Sequence, residues 1–297
     1  MRITQRQIGE QVLSDIAAAF ERLNRYQRQV SSGRRLTRPA DDPAGTASTL
    51  GYRAAILRLE QHLTNIDRAR SWLSATDSAL SDLTLTLQRA RELAVQGASD
   101  TLSADDRQRI ALEVRQLLGH TFQLSKAMLG DRYLFSGFKV TTPPYNPLPD
   151  EYDVPTPPPY QGDGGQMPAE VEAGATITLN LTADQVFGPA IAALIQLRDA
   201  LDSGSSAAVE AALSAVDQAV NAAIDGRVVV GARLNRLEEA ENRLLDLKLS
   251  LTELKSKTED VDFAEAATHL AMAETAYRAA LMGSARMIQP SLLDFLR

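Results

Sequence analysis

Two adjacent carboxylates, Asp41 and Asp42, and three histidines, His62, His120 and His269, are the side chains best suited to proton transfer or metal binding. A metal site needs several such donors converging, and an acid–base pair needs perturbed groups around it in a pocket. No second cluster of His, Asp or Glu at ligand spacing accompanies the aspartates, and the histidines are scattered. The sequence has no Cys, so neither disulfides nor thiol chemistry are available to it. The surroundings of the aspartates give them another task. Gly33 can take the positive φ that ends a helix, and Pro39 and Pro43 each push the preceding residue out of the helical region. Asp42 then stands at an N-cap with Pro43 at the first helical position, where a carboxylate accepts a free backbone N–H and complements the helix dipole. Gly162, Gly164 and Gly165 lack the Lys-Ser/Thr and the strand-to-helix setting of a phosphate loop. Asn180-Leu181-Thr182 is a formal glycosylation sequon with nothing else to support it. No catalytic, metal-binding or cofactor-binding residue is assigned, and an enzyme is set aside.

Residues 31–45 therefore read as a bend between two helices. Before it, Ile8, Val12, Ile16, Ala19, Leu23, Tyr26 and Val30 follow one another at steps of three and four, which places them on one helical stripe. A helix of about six turns with so thin a stripe is marginal alone and needs a partner. Residues 1–38 hold eight Arg against three acidic residues, a local charge of +5 within a chain of net charge −7. These Arg alternate with the apolar stripe and the remainder is acidic, so a partner helix is expected, not nucleic acid. Hydrophobic residues make up 44% but aromatics only 5%, a balance that suits slender helical packing. The N-terminal MRITQRQIGEQ lacks the apolar core of a secretory signal, and no run of about 18 apolar residues predicts a membrane span.

A second helix is predicted from Pro43 to Val95. Ile66, Ala69, Leu73, Thr76, Leu80, Leu83, Leu87, Ala90 and Ala94 keep a strict seven-residue repeat, with His62 on the same seam as a packed, hydrogen-bonded residue and Trp72 beside it. Unbroken, it would run about 80 Å. Ser103 and Asp106 form a capping pattern for a third helix, whose stripe Ile110, Val114, Leu117, Thr121, Leu124 and Met128 is closed by Gly130. A short aromatic run, Arg132 to Gly137, reads as a strand entering a turn. Residues 139–188, rich in Pro, Gly and Asp, read as a small, exposed β-rich insertion in which Ile177, Leu179 and Leu181 alternate. Pro189 is expected to open the next helix, with another at Ser206 to Ala223. Helical periodicity then returns from Val230: Leu234, Leu237, Leu244, Leu247, Leu251 and Leu254, then, after a relaxation near 258–262, Phe263, Ala267, Leu270, Tyr277, Leu281 and Ile288.

Four stretches carry a family resemblance. Ser31-Ser32-Gly33 followed by a basic residue and Asp41-Asp42 resembles the segment after the first helix of bacterial flagellins and hook-associated proteins. The flanking Pro39 and Pro43 are similar to the hook-associated protein 3 branch, the junction proteins between hook and filament, whereas Ala44-Gly45 is more flagellin-like. Tyr133-Leu134-Phe135-Ser136-Gly137 with Thr142-Pro143-Pro144-Tyr145 is the second match. Val229 to Leu237 (Val-Val-Gly-Ala-Arg-Leu-Asn-Arg-Leu) is the third, and the ending Ser291-Leu292-Leu293-Asp294-Phe295-Leu296 the fourth. They occur in the family's order and span the chain outside 139–188.

The predicted fold is mainly α, an elongated rod of long coiled-coil-like helices with both termini at one end and a small β-rich insertion. The expected division is 1–42 and 258–297 as a terminal coiled coil, 43–138 and 189–257 as the helical rod, and 139–188 as the insertion. The terminal stripes, Ile8, Val12, Ile16, Leu23, Tyr26 and Val30 with Phe263, Leu270, Tyr277, Leu281, Ile288, Leu292, Leu293, Phe295 and Leu296, are the expected assembly interface. Ser32, Gly33, Pro39, Asp41, Asp42 and Pro43 form the family-motif turn. The resemblance implies a non-enzymatic structural part of the flagellum, the layer joining hook to filament, with flagellin of the filament itself as the alternative. It implies no cofactor, no nucleic acid and no membrane insertion. The partners it implies are other copies of the chain, a hook-associated protein on the hook side, flagellin on the filament side, and a type III export chaperone holding the C-terminal helix. It places the protein outside the cell, exported without a cleaved signal peptide.

Overall fold

A computed structural model of the chain describes residues 5–146 and 152–288. Six helices dominate: α1 (Gln5–Ser32), α2 (Pro43–Gly97), α3 (Ala104–Ser125), α4 (Ala183–Asp202), α5 (Ser206–Glu259) and α6 (Phe263–Ile288). Two antiparallel hairpins complete it, β1 (Met128–Leu129) with β2 (Arg132–Tyr133), and β3 (Pro168–Glu172) with β4 (Ala175–Thr178). The described residues fall into two compact units, one from Met1–Arg58 and Asp246–Arg297, the other Leu59–Leu245.

The Leu59–Leu245 unit is built on two seams. On α2, every residue of the repeat from Ile66 to Ala94 is fully or nearly fully buried, Thr76 included, its hydroxyl donating to the Trp72 carbonyl. On α5, Val209, Ala212, Val216, Ala219, Ala223, Val230, Leu237, Ala240 and Leu244 are buried at steps of three and four, or at seven where one is skipped. Gly226 and Arg233 hold the skipped positions, and for that reason the helix expected to end at Ala223 instead runs unbroken to Glu259. A Cβ on Gly226 would meet Leu80, Val186 and Leu181 at 3.5–3.7 Å, so glycine admits close packing there without strain. Arg233 reaches out of the seam to donate to the Asn180 carbonyl, and burial pulls its guanidinium below its ordinary pKa. Arg70–Glu241, Arg227–Asp77 and Arg91–Asp217 ion pairs run α2 against α5 antiparallel.

Two further boundaries differ from expectation. α3 is capped by Ser103 as predicted, Oγ accepting from the Asp106 N–H at 3.1 Å, but it ends at Ser125. Met128 leaves the helical stripe for β1, and Gly130 turns the hairpin at φ +59°. α4 begins at Ala183, before Pro189, because a Thr182–Gln185 capping box starts it there. An interior proline costs about 3 kcal/mol, and burial of Ala183, Val186, Phe187 and Ile191 on the same helix offsets it. The insertion, expected to be exposed, packs part of its side chains inward: Tyr145, Val154, Val171 and Ile177 are all at most 5% exposed. Phe122 and Tyr145, then Tyr145 and Tyr160, meet edge to face, and Arg198 clamps the Asp153 carboxylate and Val154 carbonyl. Asn180, the sequon residue, is buried with its amide bonded to the Met167 N–H and Gly165 carbonyl. His62 is only half-buried, and its Nδ1 meets no partner among the described residues.

One buried arginine ties the loops of this unit. Arg107, 7% exposed, donates to the carbonyls of Gly97 at 2.9 Å, Ser99 at 2.8 Å and Gly204 at 3.0 Å. It thereby satisfies the carbonyl at the end of α2 and one in the α4–α5 connection, groups that helix ends leave without partners.

Candidate assembly interface

The other unit holds the bend and the two terminal helices. α1 ends where Gly33 takes φ +68°, and the Ser32 hydroxyl donates to the Arg28 carbonyl at 2.7 Å. Asp41 closes the bend by accepting from the Thr37 hydroxyl and the Arg38 N–H. Asp42 accepts from the Gly45 N–H at 2.8 Å, which makes it the N-cap of α2 with Pro43 first in the helix. That hydrogen bond, with Arg35 beside it, holds the Asp42 carboxyl below the usual carboxylate range. Pro39 is exposed. The pair of aspartates shapes a turn and makes no ligand set; among the described residues no three His, Cys, Asp or Glu side chains are grouped as a metal site needs.

The bend has a partner that sequence reading did not find. Residues 33–36 lie against the α5–α6 connection: Arg35 N–H donates to the Glu259 carbonyl at 2.7 Å, Val261 N–H to the Gly33 carbonyl at 3.1 Å, and the Arg35 guanidinium to the Thr258 carbonyl at 2.9 Å. Glu259 is 2% exposed, and its Oε1 pairs with Arg34 at 2.9 Å and with Arg53. Two basic residues of the Arg-rich N-terminal region, Arg34 and Arg35, thus hold this connection. Asp262 then caps α6 through the Ala264 and Glu265 N–H groups.

α1 and α6 pack antiparallel, the Tyr26 ring stacked on His269 at 5.1 Å and Phe20 tilted on Tyr277 at 5.6 Å. On α1 the predicted stripe is the inner face: Ala19 is buried and Val12, Ile16, Leu23, Tyr26 and Val30 half-buried. On α6 Leu270 and Tyr277 are half-buried, but the seam otherwise runs through the small residues Ala266, Ala273, Ala280 and Ser284. Phe263 and Leu281, expected on that stripe, are 62% and 41% exposed. Ile8 and Ile288 lie in their helices by backbone alone, and Leu292, Leu293, Phe295 and Leu296 lie outside the described residues.

The small inner seam leaves a second apolar stripe on the outer side of α6. Thr268, Met272, Thr275, Ala279 and Met282 follow the same three-and-four spacing two positions on, about 200° around the helix at 100° per residue. Met272 and Met282 are each 63% exposed, and a shallow groove runs along Ala267, Ala271, Met272, Thr275 and Ala279. α1 adds Leu13 at 69% and Phe20 at 48% exposure. No helix among the described residues is long and apolar enough to cross a membrane.

Known proteins are similar to this chain in sequence and fold. The bacterial flagellin N-terminal helical region matches residues 3–139, and the bacterial flagellin C-terminal helical region matches 213–296. The chain is 25% identical to flagellar hook-associated protein 3 of Escherichia coli strain K12 over 94% of both chains. It is 29% identical to a flagellin of Halalkalibacterium halodurans, over 82% of this chain and 80% of that one. Among solved structures, a putative flagellar hook-associated protein from Vibrio parahaemolyticus superposes with a TM-score of 0.66 at 22% identity, covering 74% of this chain and all of that one. The flagellar junction protein FlgL from Legionella pneumophila does so with a TM-score of 0.58 at 18% identity, covering 71% and 100%. The mainly α fold is theirs, and with the two helical regions matched at both ends in order, the chain belongs to the bacterial flagellin family, which includes the hook-associated proteins.

Proposed function

We propose that this protein is a structural component of the bacterial flagellum that forms the layer joining hook to filament, and that it assembles through its terminal helices. The observation that carries the reading is the second apolar stripe of α6, which remains uncovered after α1 has packed on the inner one. Burying Met272 and Met282 against a neighbour would release apolar surface from water at about 25 cal/mol per Å². A contact between different surfaces of successive copies propagates helically and does not close on itself. The hook-associated relatives, matched over 94% of both chains, support the junction over the filament. In this reading the chain meets other copies of itself, a hook-associated protein on one side and flagellin on the other. Before export through the flagellar type III apparatus, without a cleaved signal, a chaperone covers the same stripe of α6 by laying it in a groove.

The second reading, a flagellin that builds the filament, is favoured by the Halalkalibacterium flagellin match. Immunogold labelling of intact flagella with antibody to this protein separates them. Gold in a short band at the distal end of the hook is the expected result. Gold along the whole filament would make the protein a flagellin, and no gold on flagella would remove both readings.

A further inference from the structure

The Leu59–Leu245 unit carries a groove of about 570 Å³ whose walls include Trp72, Leu129, Met167 and Leu179 and whose rim holds Arg68 and Arg132. Most arginines of this unit are matched: Arg70, Arg89, Arg91, Arg115, Arg198, Arg227 and Arg243 meet carboxylates, and Arg107 and Arg233 meet carbonyls. Arg68 and Arg132, like Arg109 and Arg236, have no carboxylate partner among the described residues, and the first two line this groove. Glu170 also lines it, so the rim keeps a surplus of one positive charge. Trp72 is 95% buried, yet its Nε1 donor meets no acceptor among the described residues. Buried indole N–H groups ordinarily find one. Apolar walls and surplus positive charge together call for an occupant that is apolar and carries a carboxylate.

The same unit displays such a group elsewhere. On α5, Ile224, Val228 and Val229 are 41%, 64% and 41% exposed, and Asp225 beside them is exposed with no ion-pair partner among the described residues. Positions 224, 225, 228 and 229 share one helical face. The adjacent Arg227 is already paired with Asp77, so the knob keeps one negative charge.

We infer that the Ile224–Val229 knob of one copy seats in the Trp72 groove of the next, with Asp225 between Arg68 and Arg132. Knob and groove are separate sets of residues on one unit, so the contact is head-to-tail and stays open at both ends. It is a second assembly contact, away from the terminal helices, and rests on the self-assembly reading proposed above.

The sole tryptophan of the chain reports on its own groove. Full-length protein is followed by sedimentation velocity and by Trp72 emission as concentration is raised, alongside Arg68→Glu, Asp225→Arg, the double exchange, and Val228→Lys. Emission is expected to shift as the wild type associates. Each single charge reversal and Val228→Lys should weaken association about tenfold or more, and the double exchange should return it to within about threefold. All three side-chain positions are solvent-exposed, and unchanged thermal melts establish that the variants fold. Association without an emission change and with wild-type behaviour of the variants overturns the groove contact and leaves assembly through α1 and α6 standing. Weakening by the singles without rescue by the double overturns the pairing of Asp225 with the arginines. Absence of any association by the wild type overturns both readings.

Discussion

Replacing Arg107 by methionine tests whether backbone carbonyls at helix ends depend on one side chain. Methionine matches the aliphatic stem but donates nothing, so the carbonyls of Gly97 and Gly204 lose their partner together, while the Ser99 carbonyl keeps the Leu102 N–H. A buried acceptor left unsatisfied costs about 1–3 kcal/mol. These two lie at loops, where water can reach them after local fraying, so the low end applies to each and the sum is about 2 kcal/mol. Relief of the buried guanidinium's own desolvation works in the other direction. The net expectation is about 1–2 kcal/mol of lost stability. For a unit the size of Leu59–Leu245, each kcal/mol lowers Tm by about 2–4 °C, so a fall of roughly 2–8 °C follows. Urea titration with unchanged m-value would show that the native state was destabilised and not the denatured ensemble rearranged. Arg107→Lys keeps the charge but cannot span three acceptors, and should lie between. A methionine variant within about 0.5 kcal/mol of wild type would refute the argument, since it would mean the carbonyls are served equally well by water.

Three other outcomes follow from the same geometry. Burial raises the Tyr160 phenol to about 12 and moves Tyr145 upward as well. The unfolded chain then ionises first, so stability from these groups is intact below pH ~10 and is lost as pH rises toward 12; Tyr160→Phe should flatten that alkaline limb in pH-dependent melts, at the cost of its hydrogen bond to the Phe135 carbonyl. The Asp42 carboxyl is shifted the other way, so its contribution is present above the ordinary carboxylate value and lost as pH falls below it; Asp42→Asn should reduce the acid sensitivity of melts of the terminal unit. Gly226→Ala places a Cβ at ordinary contact distance from Leu80, Val186 and Leu181 and removes a helix-interior glycine, so it should stabilise by about 0.5–1 kcal/mol in urea titration; destabilisation would show that the seam has no room for a methyl group.

The α2 seam was legible residue by residue because Ile66, Leu73, Leu80, Leu83 and Leu87 anchor a three-and-four spacing that no position interrupts. The α5 seam obeys the same rule but was read as two helices, because Gly226 and Arg233 stand where apolar residues are looked for. α4 was read as starting at Pro189 because proline signals a helix start more strongly than the Thr182–Gln185 capping box does, even though the box acts first. The Asp42 cap and the Gly33 turn were legible because they are local: each uses neighbours within three residues. Glu259 was invisible for the opposite reason. Its partners Arg34 and Arg53 come from the far end of the sequence, and the acceptors of Arg107 are main-chain atoms that no residue type announces.

The apolar residues of α6 divide between its two faces in a way that bears on function. Looking for large apolar residues selects Phe263 and Leu281, which turn outward, while the contact with α1 uses Ala266, Ala273 and Ala280. Small residues let the two helix axes approach closely and leave the larger groups free on the other side, where they are of no use to the monomer. Burying them inward would strengthen the isolated pair and take away the surface that a neighbour needs. The same division recurs on α5, where Ala219 and Ala223 fill the seam and Ile224, Val228 and Val229 face out. Met272→Lys separates the two roles: it should leave the melting temperature of the dilute monomer within about 2 °C, as expected for an exposed site (within about 0.5 kcal/mol), while abolishing sedimentable assembly. A variant that melts early would place Met272 in the fold itself, and one that assembles normally would remove the outer stripe from the interface.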